Sequence, residues 1–78
     1  MYVAVELKTM TDGTMTVSTY KKDTRDEAEK AYHSILSVAA TSNAAEHYAV
    51  ILNSEGVTLK RDGYKHSNVV PEVENGGE

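Results

Sequence analysis

The chain has 78 residues, of which 40% are hydrophobic and 26% charged, and its formal net charge is −4. A chain of this length forms a single small domain, and its limited core leaves it only marginally stable alone and favours self-association. The sequence has no cysteine, which excludes disulfides and thiolate metal sites and indicates a cytoplasmic location. It has neither a signal-peptide pattern nor an apolar run of the roughly 20 residues that span a bilayer, so we expect neither export nor membrane insertion.

The negative charge is unevenly distributed along the chain. Residues 67–78 contain three of the twelve acidic residues and none of the eight basic ones, so residues 1–66 have a net charge of −1. This mixed surface argues against direct nucleic-acid binding, which depends on basic groups and counterion release. Residues 67–78 are predicted to be an acidic, mostly disordered tail, with an added edge strand through Val69 and Val70 as the alternative.

Two strands joined by a tight turn are predicted at the start of the chain. Residues 2–8 alternate between apolar and other side chains, which is the period of a strand. Asp12 and Gly13 form a dipeptide that tolerates the positive φ angles of a hairpin turn. Residues 14–20 alternate in the same way and predict a second strand, antiparallel to the first.

One helix is predicted from Thr24 to about Thr41. Thr24 and Glu27 have the spacing of a capping box, in which the threonine hydroxyl accepts a hydrogen bond from a backbone N–H of the first turn. Apolar residues at helical spacing form one stripe that must pack against a sheet. The stripe consists of Ala28, Tyr32, Ile35 and Ala39, flanked by Ala31, Leu36 and Val38.

Two more strands are predicted after the helix. Residues 47–52 are apolar on both faces, which is typical of a strand in the middle of a sheet. Residues 53–56 form a second hairpin turn, and residues 57–60 predict a fourth strand that fades at residues 61–63.

The order β-β-α-β-β predicts an α+β domain over residues 1–66. We expect a four-stranded antiparallel sheet with strand order 2-1-3-4 and the helix packed on one face. The strand residues expected to face the helix are Val3, Val5, Leu7, Met15, Val17, Val57 and Leu59. The residues expected on the other, open face are Tyr2, Ala4, Thr16, Ser18, Tyr20, Thr58 and Lys60. The sequence leaves open which side of strand 47–52 meets the helix.

The open face is a candidate interaction surface. All five aromatic residues of the chain are tyrosines, a residue type enriched where proteins meet partners, and Tyr2 and Tyr20 fall on this face. Because the domain is small and its third strand is apolar on both sides, we expect a homo-oligomer, with a dimer through this face or a sheet edge favoured. The alternative is a threonine-rich face that is simply solvated.

The sequence contains no pattern typical of catalysis or metal binding. His33, His47 and His66 lack the spacing that places two imidazoles on one face of a helix or strand. The turn glycines are isolated, and no serine lies in a nucleophile-elbow context. We therefore expect no metal, no cofactor and no enzymatic activity. His33, on the polar side of the helix, is a candidate partner contact.

Residues 60–66 are the best candidate for a ligand site. They combine cationic donors with aromatic rings, which can hold a phosphate and stack on a base. The residues concerned are Lys60, Arg61, Tyr64, Lys65 and His66. The competing interpretation is a charged edge strand that prevents aggregation.

Three segments resemble small proteins of unassigned activity that are encoded by bacterial phages, prophages and other mobile elements. The segments are residues 31–36 of the helix, residues 48–52 of the third strand, and residues 56–60 running on to Tyr64. The resemblance covers most of residues 1–66 in size, order and character. It implies a context in which compact proteins without catalytic apparatus act by binding, including inhibitors of host defence nucleases and oligomers that sequester signalling nucleotides.

Two functional hypotheses follow. The first is a non-enzymatic accessory protein of a phage or mobile element that acts by protein–protein interaction, for example as an inhibitor of a host defence system. The second is an oligomeric small-molecule binder that sequesters a nucleotide or another phosphate-bearing signal. Its pocket would be lined, from two or more copies, by Lys60, Arg61, Tyr64 and Lys65.

Overall fold

The computed structural model describes residues 1–66. Its five elements are β1 (Tyr2–Thr9), β2 (Met15–Lys22), α1 (Arg25–Ala39), β3 (Glu46–Asn53) and β4 (Thr58–Lys65). The strands form one antiparallel sheet with the order β2-β1-β3-β4, and α1 packs on one face. The predicted fold class, strand order and central position of the third strand are confirmed. The predicted tail, residues 67–78, lies outside the described residues, and so does its alternative as an edge strand.

The first hairpin closes at the predicted turn. Gly13 has a φ of +92°, and the side chain of Asp12 accepts a hydrogen bond from the backbone N–H of Thr14 at 2.9 Å. That hydrogen bond lowers the pKa of the Asp12 carboxyl. β1 and β2 pair along their full length, from Tyr2 with Lys22 to Thr9 with Met15, so β2 extends two residues beyond the predicted residues 14–20.

The helix begins as predicted and ends slightly early. The Thr24 hydroxyl accepts from the backbone N–H of Glu27 at 3.2 Å, as a capping threonine should. α1 ends at Ala39, where the N–H groups of Thr41 and Ser42 bond to carbonyls three residues earlier and tighten the last turn. No helix in residues 1–66 is long and apolar enough to cross a membrane.

The helix covers the opposite sheet face from the one predicted. Ala4, Ala49 and Ile51 are fully buried beneath it, whereas Met15 and Val17 are 58% and 56% exposed. The four residues of the helix stripe are buried as predicted: Ala28, Tyr32, Ile35 and Ala39. Tyr32 and Ile35 pack in one cluster with the sheet alanines, whose small side chains leave room for them.

The expectation for the individual strand residues is therefore mostly wrong. Strand alternation places the odd-numbered residues of β1, and with them Met15 and Val17, on the side away from α1. Tyr2 and Ala4, expected on the open face, contribute to the core instead. Leu59 does pack against the core, but Val57 precedes β4 and is 52% exposed. The prediction chose the face with the larger apolar side chains of β1 and β2, whereas the helix packs over the face that carries Ala4 and Ala49.

β4 is longer than predicted. It pairs with β3 from Thr58 to Lys65 and passes through the Asp62-Gly63 dipeptide, which was expected to end it. The register shifts once, between Ile51 and Leu52, but pairing with the central strand is continuous from Lys60 to Lys65. This tertiary context outweighs the weak strand propensity of Asp and Gly.

A charged bridge joins α1 to β4. The ammonium of Lys60 lies 2.9 Å from the Glu29 carboxylate and 5.5 Å from the centre of the Tyr32 ring. Arg25 adds a second ion pair to Glu29 at 3.3 Å. The hydrogen bond from Lys60 is the main cause that lowers the pKa of Glu29 below its ordinary value of 4.5, while burial raises the pKa of the Tyr32 phenol.

This bridge predicts a loss of stability in acid. A carboxyl whose pKa is lower in the folded state stabilises the fold above its unfolded pKa, and the stabilisation is lost as pH falls through the folded value. We expect Glu29→Gln to remove part of the fall in stability below about pH 4.5. Urea denaturation from about pH 6 to about pH 3 measures it, with the exposed turn variant Glu55→Gln as the control. An acid profile equal to wild type in Glu29→Gln would contradict this role.

Candidate functional site: the open sheet face

The sheet side away from α1 carries most of the larger aliphatic side chains of the sheet. Leu7 lies between Val17 and Tyr48 in the strand register, and Val5 lies directly beside Val50. No element within residues 1–66 packs on this side. We call it the open sheet face and define it by Val3, Val5, Leu7, Met15, Val17, Tyr48, Val50 and Leu52.

Charged residues surround the apolar centre of this face. Lys21 lies at one end of β2, and the side chains of Glu46 and Lys65 lie 4.0 Å apart at an end of β3 and β4. Arg61 stands on the edge strand beside Val50. An apolar centre within a polar rim is the usual anatomy of a protein–protein interface.

Tyr48 lies flat across the neighbouring strand. A ring carbon of Tyr48 occupies the space that a Cβ on residue 63 would need. The guanidinium of Arg61 lies 5.5 Å from the centre of the same ring. A glycine opposite an aromatic residue thus lets the ring pack on the sheet backbone.

A side chain at position 63 is predicted to disrupt this packing. A Cβ there would lie 2.5 Å from the carbonyl oxygen of His47 and 2.8 Å from Cα of Tyr48, and backbone atoms cannot yield. We expect Gly63→Ala to lower the free energy of unfolding by about 1–3 kcal/mol. Chemical denaturation measures the loss, with Thr58→Ala at the other end of β4 as the control. Equal stability of Gly63→Ala and wild type would contradict the close approach.

The structure divides the predicted ligand segment between two sides. Lys60 and Tyr64 lie on the side of α1, whereas Arg61 and Lys65 lie on the open side. Lys60 is already bound to Glu29. His66 contacts the carbonyl oxygen of Ala39 through Nε2 at 2.8 Å and stacks on Tyr64. One protomer does not bring these residues together around a ligand, and the small-molecule hypothesis stays a prediction about several copies.

The other predicted contacts are also dispersed. Tyr2 packs against the core, and Tyr20 lies on the helix side with its hydroxyl 3.5 Å from Glu6. Neither residue contributes to the open sheet face. His33 is exposed on α1, with Nε2 3.5 Å from Glu29.

Sequence reasoning missed a buried pair, Glu6 and His47. His47 is fully buried, and its Nε2 lies 2.6 Å from a carboxylate oxygen of Glu6. Its Nδ1 is buried and has no hydrogen-bond partner among the described residues. A proton on Nδ1 would lack an acceptor at a cost of about 1–3 kcal/mol, so we assign the proton to Nε2, which donates it to Glu6.

The pair is formed only by the strand register. His47 pairs with residue 8 and Glu6 with residue 49, so the two side chains meet as a diagonal cross-strand pair. In sequence they are 41 residues apart. Within residues 1–66 no group of three or more His, Cys, Asp or Glu side chains could hold a metal ion.

Fold and site together define a small α+β domain with an apolar sheet face that no other described element covers. In comparisons with family models, curated proteins and solved structures, no match to the chain was found. The assignment of the site therefore rests on the geometry above.

Proposed function

We propose that the chain is a non-enzymatic binding protein that acts through protein–protein interaction and forms a homodimer through its open sheet face. The observation that carries this proposal is the position of the aliphatic side chains. The described core is built largely from alanines, whereas valines, leucines and a methionine line the face that no described element covers.

Burial of the open sheet face in a dimer would add buried apolar surface, of which the single small domain has little. Full burial of a Val, Leu or Met side chain is worth about 1.5–3 kcal/mol relative to exposure. The largest fully buried side chains in the described protomer are only Ile51 and His47. A second layer over the open sheet face therefore gives a small domain its second core.

The dimensions of the face suit a second copy of the sheet. Strands of eight residues are about 26 Å long, and four strands lie about 19 Å wide, which gives a footprint of about 500 Å² per copy. Two copies bury about 1,000 Å², which is at the lower limit for a biological interface. The central residues Val5 and Val50 are uncharged and self-complementary, so the same surface can serve on both copies.

Back-to-back pairing leaves both helices on the outside. The surfaces around α1 then remain free for a different protein, and the dimer presents them twice. An inhibitor of a host defence component encoded by a phage or mobile element is the particular case that the sequence resemblance suggests. A cytoplasmic location belongs to the same proposal.

Sedimentation equilibrium of the full chain tests the dimer. We expect a mass of twice 8.5 kDa that falls toward 8.5 kDa on dilution. A monomer at every concentration would overturn the proposal.

A further inference from the structure

A groove runs between α1 and the β1–β2 side of the sheet, away from the open sheet face. Its volume is about 280 Å³, and most of its surface is apolar. We call it the α1–β2 groove. It is lined by Glu6, Tyr20, Ala31, Ser34, Ile35 and Val38.

Glu6 provides the only carboxylate among the lining residues of this groove. About 19% of its side chain is exposed, so the group is largely covered but reachable from the groove. Its described partners are the buried imidazole of His47 and the Tyr20 hydroxyl. Both partners can donate a hydrogen bond to the carboxylate, and neither is a lysine or an arginine.

The carboxylate of Glu29, in contrast, is paired with basic side chains. Glu29 has ion pairs with Lys60 at 2.9 Å and with Arg25 at 3.3 Å. In the described part of the chain, no lysine or arginine forms an ion pair with Glu6. The α1–β2 groove therefore combines apolar walls with a carboxylate that has no lysine or arginine partner within residues 1–66.

We propose that the α1–β2 groove binds a lysine side chain carried by an extended segment of a partner protein. The methylene stem lies along Ala31, Ile35 and Val38, and the ammonium reaches Glu6 beside the face of Tyr20. An alkyl stem with a cationic head matches apolar walls with a carboxylate at the base. This inference rests on the proposed function, since it says how the dimer holds its target.

The free edge of β2 provides a place for such a segment. Among the described strands β2 is the outermost on this side, and no strand within residues 1–66 pairs with its outer edge, so its backbone groups are open to another strand. Ser18 pairs with Glu6 and points to the same side, so a small residue lies between the added strand and the carboxylate. The added residue opposite Ser18 has its Cα about 10 Å from that of Glu6, a gap that the lysine stem and the glutamate side chain span together.

A peptide titration followed by NMR tests the proposal. The probe is a capped peptide of alternating threonine and valine with one central lysine. The control peptide has the same sequence with norleucine in place of lysine. With the full chain, we expect the lysine peptide to bind at least about tenfold more tightly, with amide shifts in β2 and at Ala31, Ser34 and Ile35. Equal binding of the two peptides, or shifts confined to the open sheet face, would overturn the proposal.

Two variants separate the groove from the fold. Glu6→Gln keeps an oxygen that accepts from His47 but removes the charge, and Val38→Lys places a competing cation at a position that is 59% exposed. We expect both to weaken binding of the lysine peptide about tenfold or more, while Glu55→Gln, which removes an exposed carboxylate in the turn between β3 and β4, binds as wild type does. Unchanged binding in Glu6→Gln and Val38→Lys would contradict the groove as the site.

The oligomeric state is measured on the same samples. Loss of peptide binding in an intact Glu6→Gln dimer supports the groove. If the wild-type chain is a monomer and still binds the lysine peptide more tightly than the norleucine peptide, the dimer proposal is overturned and the groove proposal stands.

Discussion

Val50→Lys is expected to convert the homodimer into folded monomers. Val50 lies at the centre of the open sheet face, directly beside Val5 on the neighbouring strand. Two copies of the new ammonium would be buried against apolar side chains without a partner, whereas in the monomer the lysine stem can lie on the sheet with its head in water. Loss of a central contact of this kind weakens dimerisation by about 30-fold or more.

Sedimentation equilibrium measures the change, and circular dichroism checks that the fold is kept. Ser37→Lys is the matched control, because it adds the same charge at an exposed position on α1. We expect Ser37→Lys to dimerise as wild type does. A Val50→Lys dimer as tight as wild type would place the interface elsewhere.

Ala4→Glu and Val5→Glu are expected to have opposite consequences although they change adjacent residues. Ala4 is fully buried beneath α1, so a glutamate there meets Tyr32 and Ile35 and buries an unpaired carboxylate. The cost of several kcal/mol is comparable to the whole stability of a domain of this size, about 4–12 kcal/mol. We expect Ala4→Glu to be unfolded.

Val5→Glu places the same carboxylate on the open sheet face, where water reaches it in the monomer. We expect a folded monomer with a loss of at most about 1 kcal/mol from strand propensity. Thermal unfolding followed by circular dichroism compares the two variants directly. If Val5→Glu unfolded and Ala4→Glu folded, the helix would cover the face that the sequence pattern suggested.

The sheet order was predictable because its causes are local. The turn at Asp12-Gly13, the cap at Thr24 and the apolar run of residues 47–52 each act within a few residues, and short connections leave few topologies. The end of β4 was not predictable from local propensity. Its pairing with β3 carries the strand through Asp62 and Gly63.

The candidate sites were less predictable than the fold. The open sheet face was anticipated as an interaction surface, but with residues from the wrong side of β1. The Glu6–His47 pair gave no local signal, because its two members are 41 residues apart and meet only through the strand register.

By itself, the sequence determined the elements, their order in the sheet and the helix stripe that is buried, since periodicity and turn chemistry are properties of neighbouring residues. Only the tertiary structure decided which face of the sheet the helix covers. Alternation in β1 and β2 indicated the face with Val3, Val5 and Leu7, and β3, which is apolar on both faces, did not correct that choice. The bulky residues of α1 pack over Ala4 and Ala49, and the larger aliphatic side chains are thereby left on the open sheet face.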